Sequence, residues 1–347
     1  RGYFIEDTRQ LEVAPWDDLG CNAAFIQLEG MQGTTDARIT EIPPGATLPP
    51  IRFGLDEAVY VVEGHGMTTV WVDGVEKKPF EWGPRSLFVI PRGAVRQFSN
   101  ARGDAPARLI HNTYLPIAMS LIPDPAYFFN NPYDHPEPSS DGEDFYSEAK
   151  SVPRLGRKGD RGFLWQGNFF PDMGSWDKLE PNQARGAGGS TVHIQFPGSE
   201  MSSHMSVFDP LLYKKAHRHG PGRVIVIPGG DGYSILWEQG KEKIVVPWQE
   251  ASAFVPPNRW FHQHFNVGGN KARYLALHPP KQFHGYTDEQ VGDLSNDQIE
   301  YSDEDPWIRE KFEGELVQRN RKSSMPDEAY KERDYQWDYR SAAEQAN

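Results

Sequence analysis

At 347 residues the chain has room for two hydrophobic cores, and its 37% hydrophobic and 12% aromatic content is ordinary for a globular protein. A net charge of −13, with no run of Lys and Arg, argues against nucleic acid or an anionic membrane surface as a partner. No apolar run approaches the roughly 18 residues of a membrane span, and one cysteine excludes both an intrachain disulfide and a cysteine-based metal cage.

Residues 1–117 contain short apolar, β-branched runs, such as Ala58 to Val62 and Ser86 to Ile90, punctuated by Gly and Pro. That spacing predicts a sandwich or barrel of many strands. Cys21, with no histidine pattern around it, reads as structural. Residues 118–160 change character. Pro123, Pro125, Pro132, Pro136 and Pro138, then the polar run Ser139 to Asp144, predict a linker. Its aromatic cluster Tyr127, Phe128 and Phe129 is costly to leave bare and is expected to pin the linker to the protein.

A second β-rich unit is expected over 161–284. Gly186, Gly188 and Gly189 superficially suggest a phosphate loop, but the Lys-Ser/Thr ending is missing. The charged tail 285–347 contains a capped helical start at Asp305-Pro306. Its aromatics Tyr330, Tyr335, Trp337 and Tyr339 fit either docking on their own chain or an arm around a second subunit, and a homo-oligomer is expected.

Residues 57–100 align with 223–266 at a constant offset of 166 and without a gap. Thirteen of the 44 positions are identical, including Gly66, Trp71, Trp82, Ser86, Phe88, Gln97 and Asn100. One β-rich unit therefore occurs twice. Within the second copy lie His217-Arg218-His219 and Trp260-Phe261-His262-Gln263-His264. Histidines two apart on a strand share a face, so His217, His219 and His262 can converge, and three neutral imidazoles suit a divalent transition metal. Scattered surface histidines are the plain alternative.

These residues resemble the cupin superfamily. His217 and His219 match the His-x-His of its first motif, and Pro257, His262 and Asn266 match the second, with Asn258-Arg259 in place of the usual Gly step. Arg223 stands where the family's glutamate ligand falls. The resemblance implies an all-β bicupin of two jelly-roll barrels with a short helical tail. In the first copy the ligand positions are Ile51, Phe53 and Arg96, so a metal-free N-terminal cupin is expected, with Arg96 and the retained Glu57 paired inside it. Among cupins, a carboxylate-free three-histidine site resembles those of gentisate-type and diketone-cleaving dioxygenases, which hold Fe(II). Here, however, the ligand-bearing copy is the C-terminal one. Mn, Ni and Zn suit imidazoles as well.

The expected activity is therefore a non-heme Fe(II) dioxygenase cleaving a C–C bond of a small anionic aromatic or enolic substrate. A Mn- or Zn-dependent hydrolase or isomerase is one alternative and a non-catalytic binding bicupin another. Arg223 is expected to bind the substrate anion or to pair with Glu238 or Asp209. His264 fits a proton shuttle, a hydrogen-bond donor or a satisfied core residue. Trp260, Tyr233 and Asn266 are candidate substrate contacts, with Trp237 and Phe265 adding aromatic surface at the expected mouth; Trp237, matched by Trp71, reads as architectural. The single cysteine fits a reducing cytoplasm, and a start at Arg1 rather than Met leaves room for a removed targeting segment.

Overall fold

A computed structural model describes residues 2–132, 144–155, 161–280 and 297–339. The Pro136 to Glu143 stretch of the expected linker lies outside them. The first copy folds as a seven-stranded sheet against a four-stranded one, and the second as a nine-stranded sheet against a five-stranded one. The two large sheets pack against each other. Ala58, Tyr60, Leu87, Val89 and Ile110 of the first share one core with Val192, Ile194, Met205, Val226, Leu275 and Leu277 of the second. Each large sheet is thus apolar on both faces, which is why strands such as Glu57–Glu63 and Leu87–Ile90 read as continuous apolar runs rather than alternating ones.

The halves also exchange edge strands. Phe4–Ile5 pairs with Ala253–Phe254 of the C-terminal barrel, and Phe169–Phe170 pairs with Leu87–Ile90 of the N-terminal one. The partners Phe254 and Phe88 are separated by the repeat offset of 166. The serine common to both copies fastens each exchanged segment: Ser86 Oγ donates to Pro171 O at 2.7 Å, and Ser252 Oγ donates to Glu6 O. Gly30 lies so close to the other half that a Cβ there would stand 2.0 Å from Val255 O. Among the described residues no helix is long and apolar enough to cross a membrane.

Phe128 is buried, and Phe129 packs 5.1 Å from both Phe53 and Trp16, over the mouth of the first barrel. Helix Pro306–Gln318 starts at Asp305, which accepts from Trp307 N at 3.0 Å. It buries Ile308, Phe312 and Leu316 against the outer face of the five-stranded sheet. Trp337 is buried in the same core, and Tyr339 donates to Gly189 O at 3.0 Å, so these tail aromatics dock on their own chain. Cys21 is buried, and desolvation raises its thiol to about 11, which keeps it unreactive.

In the N-terminal barrel, Arg96 and Glu57 are 2% and 0% exposed, with Arg96 Nε 3.1 Å from Glu57 Oε2. Arg38, opposite His111 on the neighbouring strand pair, donates to the same carboxylate. Burial pushes the Glu57 carboxyl up, but Arg96 and Arg38 outweigh it and hold it well below the usual range. Arg96→Ala removes one of two guanidiniums on a buried carboxylate and empties a buried volume, so it should cost about 2–5 kcal/mol with metal content unchanged. Urea denaturation alongside metal analysis measures both, and an unaltered midpoint would show that the pair contributes nothing.

Candidate metal centre

His217 lies on the short strand Ala216–His217 and pairs directly with His262 of Phe261–Asn266. Facing partners point to one side of a sheet; His219 follows two residues after His217. Their ring nitrogens lie within 4.8 Å of one another, and the rings of His217 and His219 stand 4.2 and 4.5 Å from that of His262.

Hydrogen bonds assign two of the tautomers. His219 Nδ1 donates to Gly220 O at 2.8 Å and His262 Nδ1 to Trp260 O at 3.2 Å, leaving Nε2 of each with a free lone pair. His217 Nδ1 is buried without a partner. All three rings are held neutral. Burial is the largest cause in each; Arg185 comes next for His217 and Arg223 for His219, and His262 falls to about 3. Three converging neutral imidazoles and an orphaned ring nitrogen fit a divalent transition metal.

The barrel continues inward as a ladder of rings. His264 lies 5.6 Å from His262 and 4.4 Å from Tyr274, while His204 lies 6.4 Å from Tyr274 and bonds His278 at 2.7 Å. Ser234 Oγ, which accepts from Trp248 Nε1 at 3.0 Å, is 2.7 Å from His264 Nδ1. Lys214 is 1% exposed, its Nζ has no hydrogen-bond partner, and the rings of Phe208 and Tyr274 lie 5.7 Å away. The groups acting electrostatically on His204 and His264 are Arg185, Lys214 and neighbouring histidines, joined at His204 by Arg223, and together they keep these imidazoles neutral.

The charge of Arg223 reaches His219, and Asp209, one of its expected partners, pairs with Lys271 at 3.1 Å. Two expectations need correction. Tyr233 is opposite Phe265, stacked on it at 4.6 Å, with Lys311 of the tail helix 5.2 Å over its ring. Alternation sends its neighbour Ser234 inward with His264 and Tyr233 outward, beneath the tail. Trp237 and Phe265 belong to the same tail-facing core. Asn266 is fully buried and spends its amide on Phe208, Asp209 and Asn270 carbonyls. Asn100 makes the equivalent bonds to Ile42, Pro43 and Ala105, so this residue closes a turn in both copies. Trp260 is half-buried, its ring 5.7 Å from that of Tyr3.

Sequence reasoning missed Arg185, Lys214, His204 and His278. His204 carried a signal: it lies in the strand Ser202–Phe208 at a position whose neighbours Ser203 and Met205 point the other way, Met205 into the core between the barrels. Arg185 and Lys214 lie outside regular strands, where no period gives direction.

No protein-family model and no curated protein sequence matches the chain. Among solved structures, an oxalate decarboxylase from Lactobacillus farciminis, in complex with formate, aligns at TM-score 0.50 and 12% identity over 79% of this chain and 85% of that one. An oxalate decarboxylase from Bacillus subtilis, whose centres hold Mn(II), aligns at 0.50 and 12% over 82% and 78%. The chain has the bicupin fold.

Burial, followed by the charge of Arg185, lowers Lys214 to about 7 from an ordinary 10.5. The folded chain then releases a proton that the unfolded chain keeps between those values, so stability should rise with pH across that window and be lowest below pH 7. One proton corresponds to a slope of about 1.4 kcal/mol per pH unit. Urea unfolding at pH 7, 8 and 9 should show that slope reduced in Lys214→Met; parallel curves for parent and variant would place the proton elsewhere.

Proposed function

We propose that the C-terminal cupin is the metal centre of an enzyme acting on a small anionic molecule. The observation that carries this reading is the carboxylate-free cluster of His217, His219 and His262 beside Arg223 and Arg185. Those imidazoles would hold the ion, and a metal bound by three neutral ligands keeps its full charge and open positions for substrate oxygens. The bound metal would supply Lewis acidity and, if it is Fe(II), electron transfer to dioxygen.

The remaining chemistry belongs to the chain. Arg223 and Arg185 lie close enough to act on the cluster, and their planar forks suit a carboxylate or enolate. His264, fixed through Nδ1 by the Ser234–Trp248 chain, is neutral and can hold or pass a proton at Nε2. The closed barrel excludes water. Within this reading we favour C–C bond cleavage by dioxygen with Fe(II), because a ligand set without a carboxylate leaves room for both a chelating substrate and O2. Non-redox chemistry with Mn(II) is the second reading, favoured by the Mn(II) centres of the Bacillus subtilis fold neighbour.

The test is reconstitution with Fe(II) or Mn(II) under argon, then an oxygen-electrode and CO2-release screen over aromatic hydroxy acids, β-diketones and small carboxylic acids. One metal per chain is expected, lost in a His217→Ala/His262→Ala double variant. Substrate-dependent O2 uptake supports the dioxygenase, and turnover without net O2 uptake assigns the second reading. Failure to bind metal at the triad would overturn both.

Arg223→Ala should retain metal and lose about 10- to 100-fold in kcat/KM, the worth of a charge-assisted bond of roughly 1.5–3 kcal/mol. Arg223→Lys should restore little, because an ammonium lacks the planar fork. Unchanged kinetics, or simultaneous loss of metal and fold, would assign Arg223 to the scaffold.

A further inference from the structure

The vacated ligand pocket of the N-terminal barrel is not filled. A cavity of about 30 Å³ remains there, with Arg38, Arg96 and His111 on its polar side and Leu48, Ile51 and Phe98 on its apolar side. That volume exceeds the need of a single water.

Around it, Arg38 and Arg96 meet Glu57 and Asp36. Arg38 and Arg96 both lean on one carboxylate, Glu57, and both guanidiniums lie over the Phe53 ring, at 5.2 and 4.9 Å. Asp36 is the other nearby acid. It stands 3.5 Å from Arg38 and accepts from Thr113, while burial raises its carboxyl. His111, 2.7 Å from Thr40 Oγ1, is held neutral by burial. Arg96 Nη1 is buried, and no acceptor meets it. Arg96 is correspondingly lowered to about 10, by burial first and by the neighbouring Arg38. A buried guanidinium donor beside a cavity, left without an acceptor, is a site for a further acceptor, and one that carries negative charge bonds it most strongly.

We infer that the N-terminal cupin binds a small monovalent anion, of chloride to formate size, in this cavity against Arg96 Nη1. The position where the C-terminal barrel gathers ligands for a cation would then hold an anion in its sister. Site and ligand are independent of what the metal centre does.

The probe is bromide. Crystals of the full chain soaked in sodium bromide should show one anomalous peak within hydrogen-bonding distance of Arg96 Nη1. In solution, chloride and nitrate should raise Tm in a saturable manner beyond sulfate at equal ionic strength. Ile51→Trp, which fills the cavity and keeps both arginines, should abolish the peak and the saturable response. An ordered water alone on Arg96 Nη1, or the same salt response in Ile51→Trp, would overturn the proposal. Should that variant fail to fold, the bromide map of the parent decides.

Discussion

A charge inside a closed β-barrel must be answered by another charge, a metal or a ligand, because removing it from water unaided costs several kcal/mol. The two barrels meet that demand in opposite ways. At the histidine cluster of the C-terminal one, burial strips the imidazoles of protons, and Arg185, Arg223 and Lys214 add to the effect. In the N-terminal one Arg96 replaces a histidine, and Glu57 answers it directly at the position that Arg223 occupies in the sister. Acid and base thus exchange places between equivalent positions of the two barrels.

The repeat separates architecture from chemistry. Trp82 donates to Thr68, and Trp248 to Ser234, at the same offset. Lys77 lies over Trp71 at 4.2 Å and Lys243 over Trp237 at 5.8 Å. Asn100 and Asn266 close the same turn. Such shared residues hold strands in register, whereas the differences, Ile51 against His217, Phe53 against His219 and Arg96 against His262, decide what each barrel contains.

The bicupin fold was legible from the gapless repeat and from the resemblance of its histidine motifs to the cupin superfamily, and the histidine cluster from strand periodicity, in which alternate residues share a face. Tyr233 was misplaced although the same rule applied: register with Phe265 sends it outward, and the register is fixed by tertiary pairing that a single strand does not display. Asn266 was misread because a motif asparagine suggested chemistry, while its identity with Asn100 in a barrel without the histidines already pointed to structure. Arg185 and Lys214 were invisible for a different reason. They sit on irregular segments, and Gly189 leaves the space in which Lys214 lies, since a Cβ there would stand 2.7 Å from Nζ. The glycine-rich run once compared with a phosphate loop is thus partly explained by the packing of one buried lysine.

The exchanged strands tie the barrels into one functional unit. Phe4 pairs with Phe254, whose ring is 5.8 Å from that of His264, and Tyr3 packs on Trp260, whose carbonyl orients His262. The opening residues of the chain therefore buttress the metal-cluster wall, although they precede the other barrel in sequence. Ser252 and Thr8 hold that segment through Glu6 O and Ala251 O, so its position depends on the same strand edge that positions Phe254. The N-terminal barrel consequently has a mechanical role: it anchors the segment that supports His262 and His264, and shares with the histidine-cluster barrel the apolar face on which both large sheets rest.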